Sequence, residues 1–314
     1  MTVSAHTLRR IDLFEQALGN TLVEYLSDPD VVEIMVNPGG GVWVESLVDH
    51  KQYTGVRITP EQIVNVIKIV ASFNGISVNE EQPEVAGLLP GNHARFQGWL
   101  PPVSEEPVFA IRKHGNRCVE LDDYIDKELM SSKQAEVLRQ AVLNRQNILI
   151  GGGTSTGKTT LAGALLRVLK SREDRVFILE DVPELHTDIS DQVVLRTTEQ
   201  VTMRDLVRSC LRMRPDRIII GEVRDGAALD LLKAWNTGHP GGISTIHANS
   251  AEAVVSRLND LIGEVIPAVP MSLITNAVEL IVQLDNNKHT RGRIASIVHL
   301  SAHGEKGYVL EEVE

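Results

Sequence analysis

Apolar positions along this chain recur with two different periods, and the change of period divides it. In the first third, Leu8, Ile11, Phe14, Leu18, Leu22 and Leu26 fall near helical spacing, with a break at Gly19. "EIMVNPGGGVWVES" then reads as two strands joined by a tight turn, with Pro38 and the glycines after it supplying the reversal. Thr59 and Pro60 cap and open a helix whose apolar positions are Ile63, Val66, Ile67 and Val70. "ARFQGWLPP" and "PVFAIRK" are short strands separated by "PPVSEEP". This pattern predicts a smaller α+β domain over 1–115. The stretch 116–132 is irregular and polar and is expected to be a linker.

From 133 to 314 short, continuous apolar runs alternate with helical ones. "NILIGG" precedes a helix from Gly157, "RVFILE" a helix from Met203, "RIIIGE" a helix from Asp225, and "GISTIH" a helix from Ala251. Strands that are apolar throughout, each followed by a helix, predict an α/β domain with a mostly parallel sheet covered on both faces.

Composition narrows the class. Of 314 residues, 42% are hydrophobic and 23% charged, the balance of a folded chain large enough for two domains. No apolar run approaches the roughly 18–20 residues of a membrane helix, and "MTVSAHTLRRIDLFEQ" lacks the apolar centre of a secretory signal. A cytoplasmic protein is expected. The net charge of −11 and 4% aromatic content disfavour direct nucleic-acid binding, although 31 Lys and Arg leave room for a narrow basic channel. Cys118 and Cys210 are the only cysteines, so neither a disulfide framework nor a zinc cluster is expected.

One motif changes the picture. "GGTSTGKTT" fits G-x-x-x-x-G-K-[ST] between an apolar strand and the helix "KTTLAGALLRVL". Its residues Gly152, Gly153, Thr154, Ser155, Thr156, Gly157, Lys158, Thr159 and Thr160 are candidates to surround the phosphates of ATP. Glycines let backbone N–H groups turn inward, Lys158 would reach the β- and γ-phosphates, and Thr159 would ligate Mg²⁺. Hydrolysis also needs a group that orients water. "RIIIGEVRD" ends an apolar strand at Glu222, and "FILEDVPEL" ends another at Glu180 and Asp181, followed by Glu184. Glu222, Glu180 and Glu184 are candidates for that role, and Glu180 and Glu222 join Thr159 as candidate metal-side groups.

"GHPGGISTIHANS" carries His239 and His247 among small residues. The two could be metal ligands, a catalytic pair, or one phosphate contact beside one turn residue. His247 ends an apolar strand and would emerge at the carboxyl edge, where open α/β sheets form their ligand crevice. A metal site would need further ligands, and no Cys or His cluster offers them. In "TMRDLVRSCLRMRP" a Thr202/Asp205 capping box opens a helix that stops before Pro215, with Arg204, Arg208 and Arg212 on one face. Like charges at that spacing cost roughly 0.2–0.5 kcal/mol per pair. The stripe reads either as a solvated face with local Asp pairs or as a contact to a neighbouring subunit.

As an ordered set, "GGTSTGKTT", "LEDVPEL", "CLRMRPDRIIIGEVRD" and "TGHPGGISTIHANS" resemble the Walker A, Asp-box, Walker B and His-box motifs of the secretion traffic ATPases. That superfamily serves type II and type IV secretion, pilus movement and conjugation, and the whole chain is most similar to its conjugal-transfer members of the Trb type. The resemblance covers about residues 20–285. It implies a RecA-like P-loop ATPase, a homohexameric ring at the cytoplasmic face of the inner membrane, and membrane-apparatus components as partners. It also implies that His247 lies near the γ-phosphate, while His239 is left to a turn. Arginines of the first domain, Arg112 in "FAIRK" and Arg95 in "ARFQ", would close on the nucleotide. The Walker B strand ends in Gly-Glu, as in the family, and the four-cysteine zinc element of type II enzymes is absent. A pilus extension or retraction motor or a type II secretion ATPase is the near alternative, and a DNA translocase or helicase and a nucleotide-gated scaffold are the competing readings from other classes.

Overall fold

The computed structural model describes residues 5–46, 50–91, 94–113, 119–185, 187–198, 200–285, 291–302 and 307–313. The chain divides into two compact units, Met1–Arg117 and Cys118–Glu314. Cys118 and the first residues of the expected linker, 116–118, lie outside the described residues.

The first unit contains α1 (Ala5–Leu18), α2 (Asn20–Ser27), β1 (Val31–Val36), β2 (Gly41–Ser46), β3 (His50–Arg57), α3 (Pro60–Phe73), β4 (Glu84–Leu88), β5 (Arg95–Trp99) and β6 (Val108–Arg112). Its six strands form one sheet in the order β3-β2-β1-β6-β5-β4, antiparallel throughout. Alternation in β2 and β5 buries every second residue, and Ile63, Val66, Ile67 and Val70 of α3 join that buried face. The Thr59 side chain accepts from the Gln62 N–H and so fixes where α3 begins. α1 and α2 part at Gly19.

The second unit contains α4 (Leu121–Asp126), α5 (Ser132–Leu143), β7 (Ile148–Gly152), α6 (Lys158–Arg167), β8 (Val176–Glu180), β9 (Gln192–Arg196) and α7 (Met203–Cys210). It continues with β10 (Arg217–Ile220), α8 (Ala227–Asn236), β11 (Ile243–His247), α9 (Ala251–Gly263), α10 (Met271–Ala277), β12 (Leu280–Leu284), β13 (Ile294–Ala302) and β14 (Tyr308–Glu312). The sheet order is β14-β13-β12-β7-β11-β10-β8-β9. Neighbours from β12 to β9 are parallel, and β13 and β14 add two antiparallel pairs at one edge. β7, β8, β10 and β12 are buried along their whole length. Consecutive residues of one strand serve opposite cores: Ile218 and Ile220 pack with α7 to α9, and Ile219 with α5 and α6. This is the doubly covered parallel sheet that the apolar runs predict.

One boundary is corrected. The expected linker 116–132 carries α4, whose Leu121 and Tyr124 are buried in the core of the second unit together with Met130. A helix with one apolar face three residues apart and carboxylates elsewhere reads as polar loop until something packs on it. α8 begins at Ala227 rather than Asp225, with Gly226 as its N-cap residue and the Asp225 carboxylate accepting from the Ala227 N–H just ahead of it. Among the described residues no helix is long and apolar enough to cross a membrane.

Candidate active site

Parallel strands of common register end together. His247 pairs with Gly152 in the β11–β7 ladder, and Glu180 closes β8 one strand beyond β10. The phosphate-loop motif, both acidic strand ends and His247 therefore share the carboxyl edge of the sheet.

The loop is shaped by what its glycines permit. A Cβ at Gly152 would stand 2.5 Å from Thr156 Oγ1, and Gly157 holds φ +96° as the residue before α6. No side chain caps α6, so its first N–H groups face the loop. Lys158 is buried, and its Nζ donates to the carbonyls of Gly152 (3.0 Å) and Gly153 (2.7 Å). The same ammonium lies 3.2 Å from His247 Nδ1. An ammonium only donates, so Nδ1 accepts and the ring proton sits on Nε2. Nε2 is 2.9 Å from Glu222 Oε1, a close polar contact whose angle does not make a hydrogen bond. Arg224 Nη2 donates to Glu222 Oε2 at 2.6 Å, and Nη1 approaches Asp181 Oδ2 at 3.8 Å. Lys158, His247, Glu222 and Arg224 thus form one line of contacts drawn from the ends of three strands.

A second line starts at the next residue of α6. Thr159 Oγ1 donates to Glu184 Oε2 at 2.9 Å. The Glu184 and Leu185 N–H groups both donate to Glu180 Oε1 at 2.8 Å. Glu180 is 2% exposed. Burial pushes its carboxyl above the ordinary range against the pull of those two hydrogen bonds, and its Oε2 has no hydrogen-bond partner among the described residues. The geometry therefore sets Glu184, rather than Glu180, beside the candidate metal-ligating hydroxyl of Thr159, with Glu180 behind it. Among the described residues no cluster of three or more His, Cys, Asp or Glu forms a protein-only metal cage. The residues present suit Mg²⁺ held chiefly by a hydroxyl and phosphate oxygens.

Other candidates separate from this edge. His239 precedes β11, and its Nδ1 lies 3.3 Å from the Ala234 carbonyl. The glycines after it are held at the amino edge: Gly241 and Gly242 N–H both donate to Asn147 Oδ1, at 2.8 and 2.9 Å. Arg204 and Arg208 converge on Asp230 of α8, at 2.7 and 3.1 Å, so the local-pair reading describes both. Arg212 lies beyond the end of α7 in a short 3-10 turn, and its Nη1 reaches back to the Arg208 carbonyl at 3.4 Å. Arg95 and Arg112 face each other across β5 and β6 in the first unit, with Glu33 opposite Arg112 on β1. Arg224, Asp230 and Asn147 escaped the sequence reading. A charged residue just past a strand gives no local sign of a partner elsewhere in the chain.

The family described as type II/IV secretion system protein matches residues 88–299. The chain belongs to that family. It is 41% identical to the conjugal transfer protein TrbB of Rhizobium radiobacter over 305 residues, 96% of this chain and 94% of that one. It is 31% identical to the type IV secretion system protein VirB11 of Bartonella henselae over 281 residues, covering 76% and 78%. The solved pilus retraction motor PilT with bound ADP is similar in fold, with a TM-score of 0.60 at 19% identity, covering 93% of this chain and 81% of that one. The family match takes in the phosphate loop and both acidic strand ends.

Proposed function

We propose that this family member is an ATP-hydrolysing motor, with a RecA-like second unit, that works as a homohexameric ring in a type IV secretion or conjugative transfer apparatus. The observation that carries the reading is the convergence of Lys158, His247 and Glu222 on the loop that opens α6. The relatives' names, conjugal transfer protein and type IV secretion system protein, supply the apparatus. Inner-membrane components of that apparatus are its proposed partners, met at the cytoplasmic face.

The phosphates of ATP lie on the N-terminus of α6, where backbone N–H groups and the Lys158 ammonium meet their charge. Thr159 and Glu184 stand on the metal side, and Glu180 keeps Glu184 in place through its backbone. Bound Mg²⁺ supplies neutralisation of the phosphate charge. Glu222 accepts the proton of the attacking water or orients it. Arg224 restrains the same carboxylate from its other oxygen. His247 presents a ring N–H that finds an acceptor on the γ-phosphate and none in ADP. Arg112 and Arg95 are further proposed contacts to the nucleotide, and their release with the γ-phosphate becomes motion. Arg204, Arg208 and Arg212 form the proposed contact to a neighbouring subunit, with Arg204 and Arg208 also paired to Asp230.

Lys158→Ala tests the site. The expected result is loss of hydrolysis and strongly weakened ATP binding in a protein that remains folded. Near-normal turnover would overturn the assignment. Mass measurement with ATP and Mg²⁺ tests the ring, for which a hexamer is expected and a persistent monomer contradicts it.

A further inference from the structure

The phosphate loop is braced by a part of the chain that none of the four motifs contains. β12 and β13 form a hairpin at the antiparallel side of the sheet, and Gly292 stands just before β13. Its N–H donates to the carbonyl of Thr156, inside the phosphate loop, at 2.9 Å. A Cβ on Gly157 would lie 3.3 Å from the Gly292 Cα, so the two backbones are in direct contact. Both residues hold positive φ, +96° at Gly157 and +87° at Gly292, a conformation that side chains disfavour.

The other side of Gly292 is also occupied. A Cβ there would meet Tyr124 Cε1 at 3.4 Å and Leu129 Cδ1 at 3.5 Å. Two residues further on, the Ile294 N–H donates to the Leu129 carbonyl at 2.9 Å. Leu129 is itself tied back to α4, because its N–H donates to the Tyr124 carbonyl at 2.8 Å. Gly292 is therefore wedged between the phosphate loop and α4 with the turn after it. That segment is among the first described residues of the second unit, next along the chain from the boundary at Arg117.

We propose that Gly292 is a positioning residue for the phosphate loop, and that through it the α4–Leu129 segment sets the loop's conformation. The physical argument is one of degrees of freedom. A loop of small residues between a strand and a helix is held by few side chains, so a single backbone hydrogen bond and a glycine–glycine contact are a large share of its restraint. Packed elements transmit displacement when they touch directly. Movement of α4 by one contact distance would press on Gly292 or withdraw from it, and the Thr156 carbonyl would follow. The nucleotide site is thereby coupled to the chain segment that leads out of the first unit. The inference rests on reading this loop as the nucleotide site, and its test is independent of that reading.

Hydrogen exchange without nucleotide measures it in the full chain. In Gly292→Ala the left-handed backbone is penalised, and amides of residues 153–158 should exchange about 5-fold faster or more. Exchange in β7, β11 and β10 should stay as in the wild type. Leu129→Ala keeps every backbone bond but withdraws the contact on the far side of Gly292. It should speed exchange in the same loop by about 2- to 3-fold, the effect of a partial loss of local packing, and it guards against failure of the glycine variant to fold. An unchanged loop in Leu129→Ala, or acceleration spread evenly over the second unit in both variants, would overturn the proposal. Failure of the wild type to bind ATP would instead overturn the reading of the site and leave the exchange result standing.

Discussion

Strand β11 ends at one histidine of its motif, His247, and is preceded by the other, His239, and the sheet uses its two edges differently. At the amino edge polar groups are buried and engage one another. Arg217 is fully buried, its Nε donates to Asp174 Oδ2 at 2.8 Å, and its Nη1 donates to the Val142 and Gly241 carbonyls at 3.0 and 3.2 Å. Arg145 pairs with the other oxygen of Asp174. Burial raises the Asp174 carboxyl, but the hydrogen bond and charge of Arg217, with Arg145 behind them, outweigh it and leave it below the ordinary range. At the carboxyl edge the polar groups include an exposed histidine and incompletely bonded carboxylates instead. His247 is 48% exposed, Glu222 keeps a contact angle short of a hydrogen bond, and buried Glu180 retains an oxygen without a partner among the described residues. The buried ion-paired network fixes the strand, although Arg217 Nη2 has no hydrogen-bond partner among the described residues, and the exposed ring of His247 beside unpartnered carboxylate oxygens leaves capacity for a ligand.

The comparison breaks first at Glu222. Glu222→Gln keeps shape and polarity but removes the carboxylate, so ATP should still bind while turnover falls by about 10²-fold or more, the scale of general-base catalysis. Unchanged turnover measured on the folded variant would transfer the role to Glu184, which the geometry sets beside Thr159.

At the other edge the large effect is on stability. Asp174→Asn strands the buried Arg217 charge, and denaturant unfolding at neutral pH should lose about 3–5 kcal/mol, the penalty for breaking a buried pair. Turnover per folded molecule should change little. The sign of the pH dependence follows from the depressed carboxyl. Its folded value lies below the unfolded 3.8, so its contribution is complete above that pH and is lost as pH falls through the folded value. The gap between wild type and variant should therefore persist from neutral pH to about 4 and close only below that. A gap that closes near pH 6 would point to a histidine and contradict the assignment.

The difference between the edges also explains what could be read from residues alone. The parallel strands were legible because a strand buried on both faces must be apolar throughout, as in "NILIGG" and "RIIIGE". β9 was not, since exposed and half-buried positions alternate along it and "QVVLR" looks like loop beside them. β13 and β14 were missed because an antiparallel edge needs no crossover helix to announce it. Within the site, the motif fixed the loop and the strand ends fixed the carboxylates. Which carboxylate meets Thr159, and the clamp of Arg224 on Glu222, depend on side-chain geometry that spacing does not contain. Asp230 could not be paired with Arg204 and Arg208 from spacing, because it lies on a different helix.

Smaller effects separate the two histidines. His247→Ala should lower turnover by about 10- to 100-fold, the scale of one hydrogen bond to a charged group, while ADP affinity stays within about 3-fold, since ADP has no γ-phosphate for the ring to meet. His239→Ala removes a single contact to the Ala234 carbonyl and should cost about 1 kcal/mol of stability or less.

Side-by-side measurement of turnover and thermal midpoint on His247→Ala and His239→Ala is the most direct test of a sheet divided between chemistry and architecture. The account predicts that His247→Ala loses turnover with its midpoint nearly unchanged, and that His239→Ala keeps turnover with a slightly lowered midpoint. A fall in turnover for His239→Ala equal to that of His247→Ala, with both midpoints intact, would contradict it.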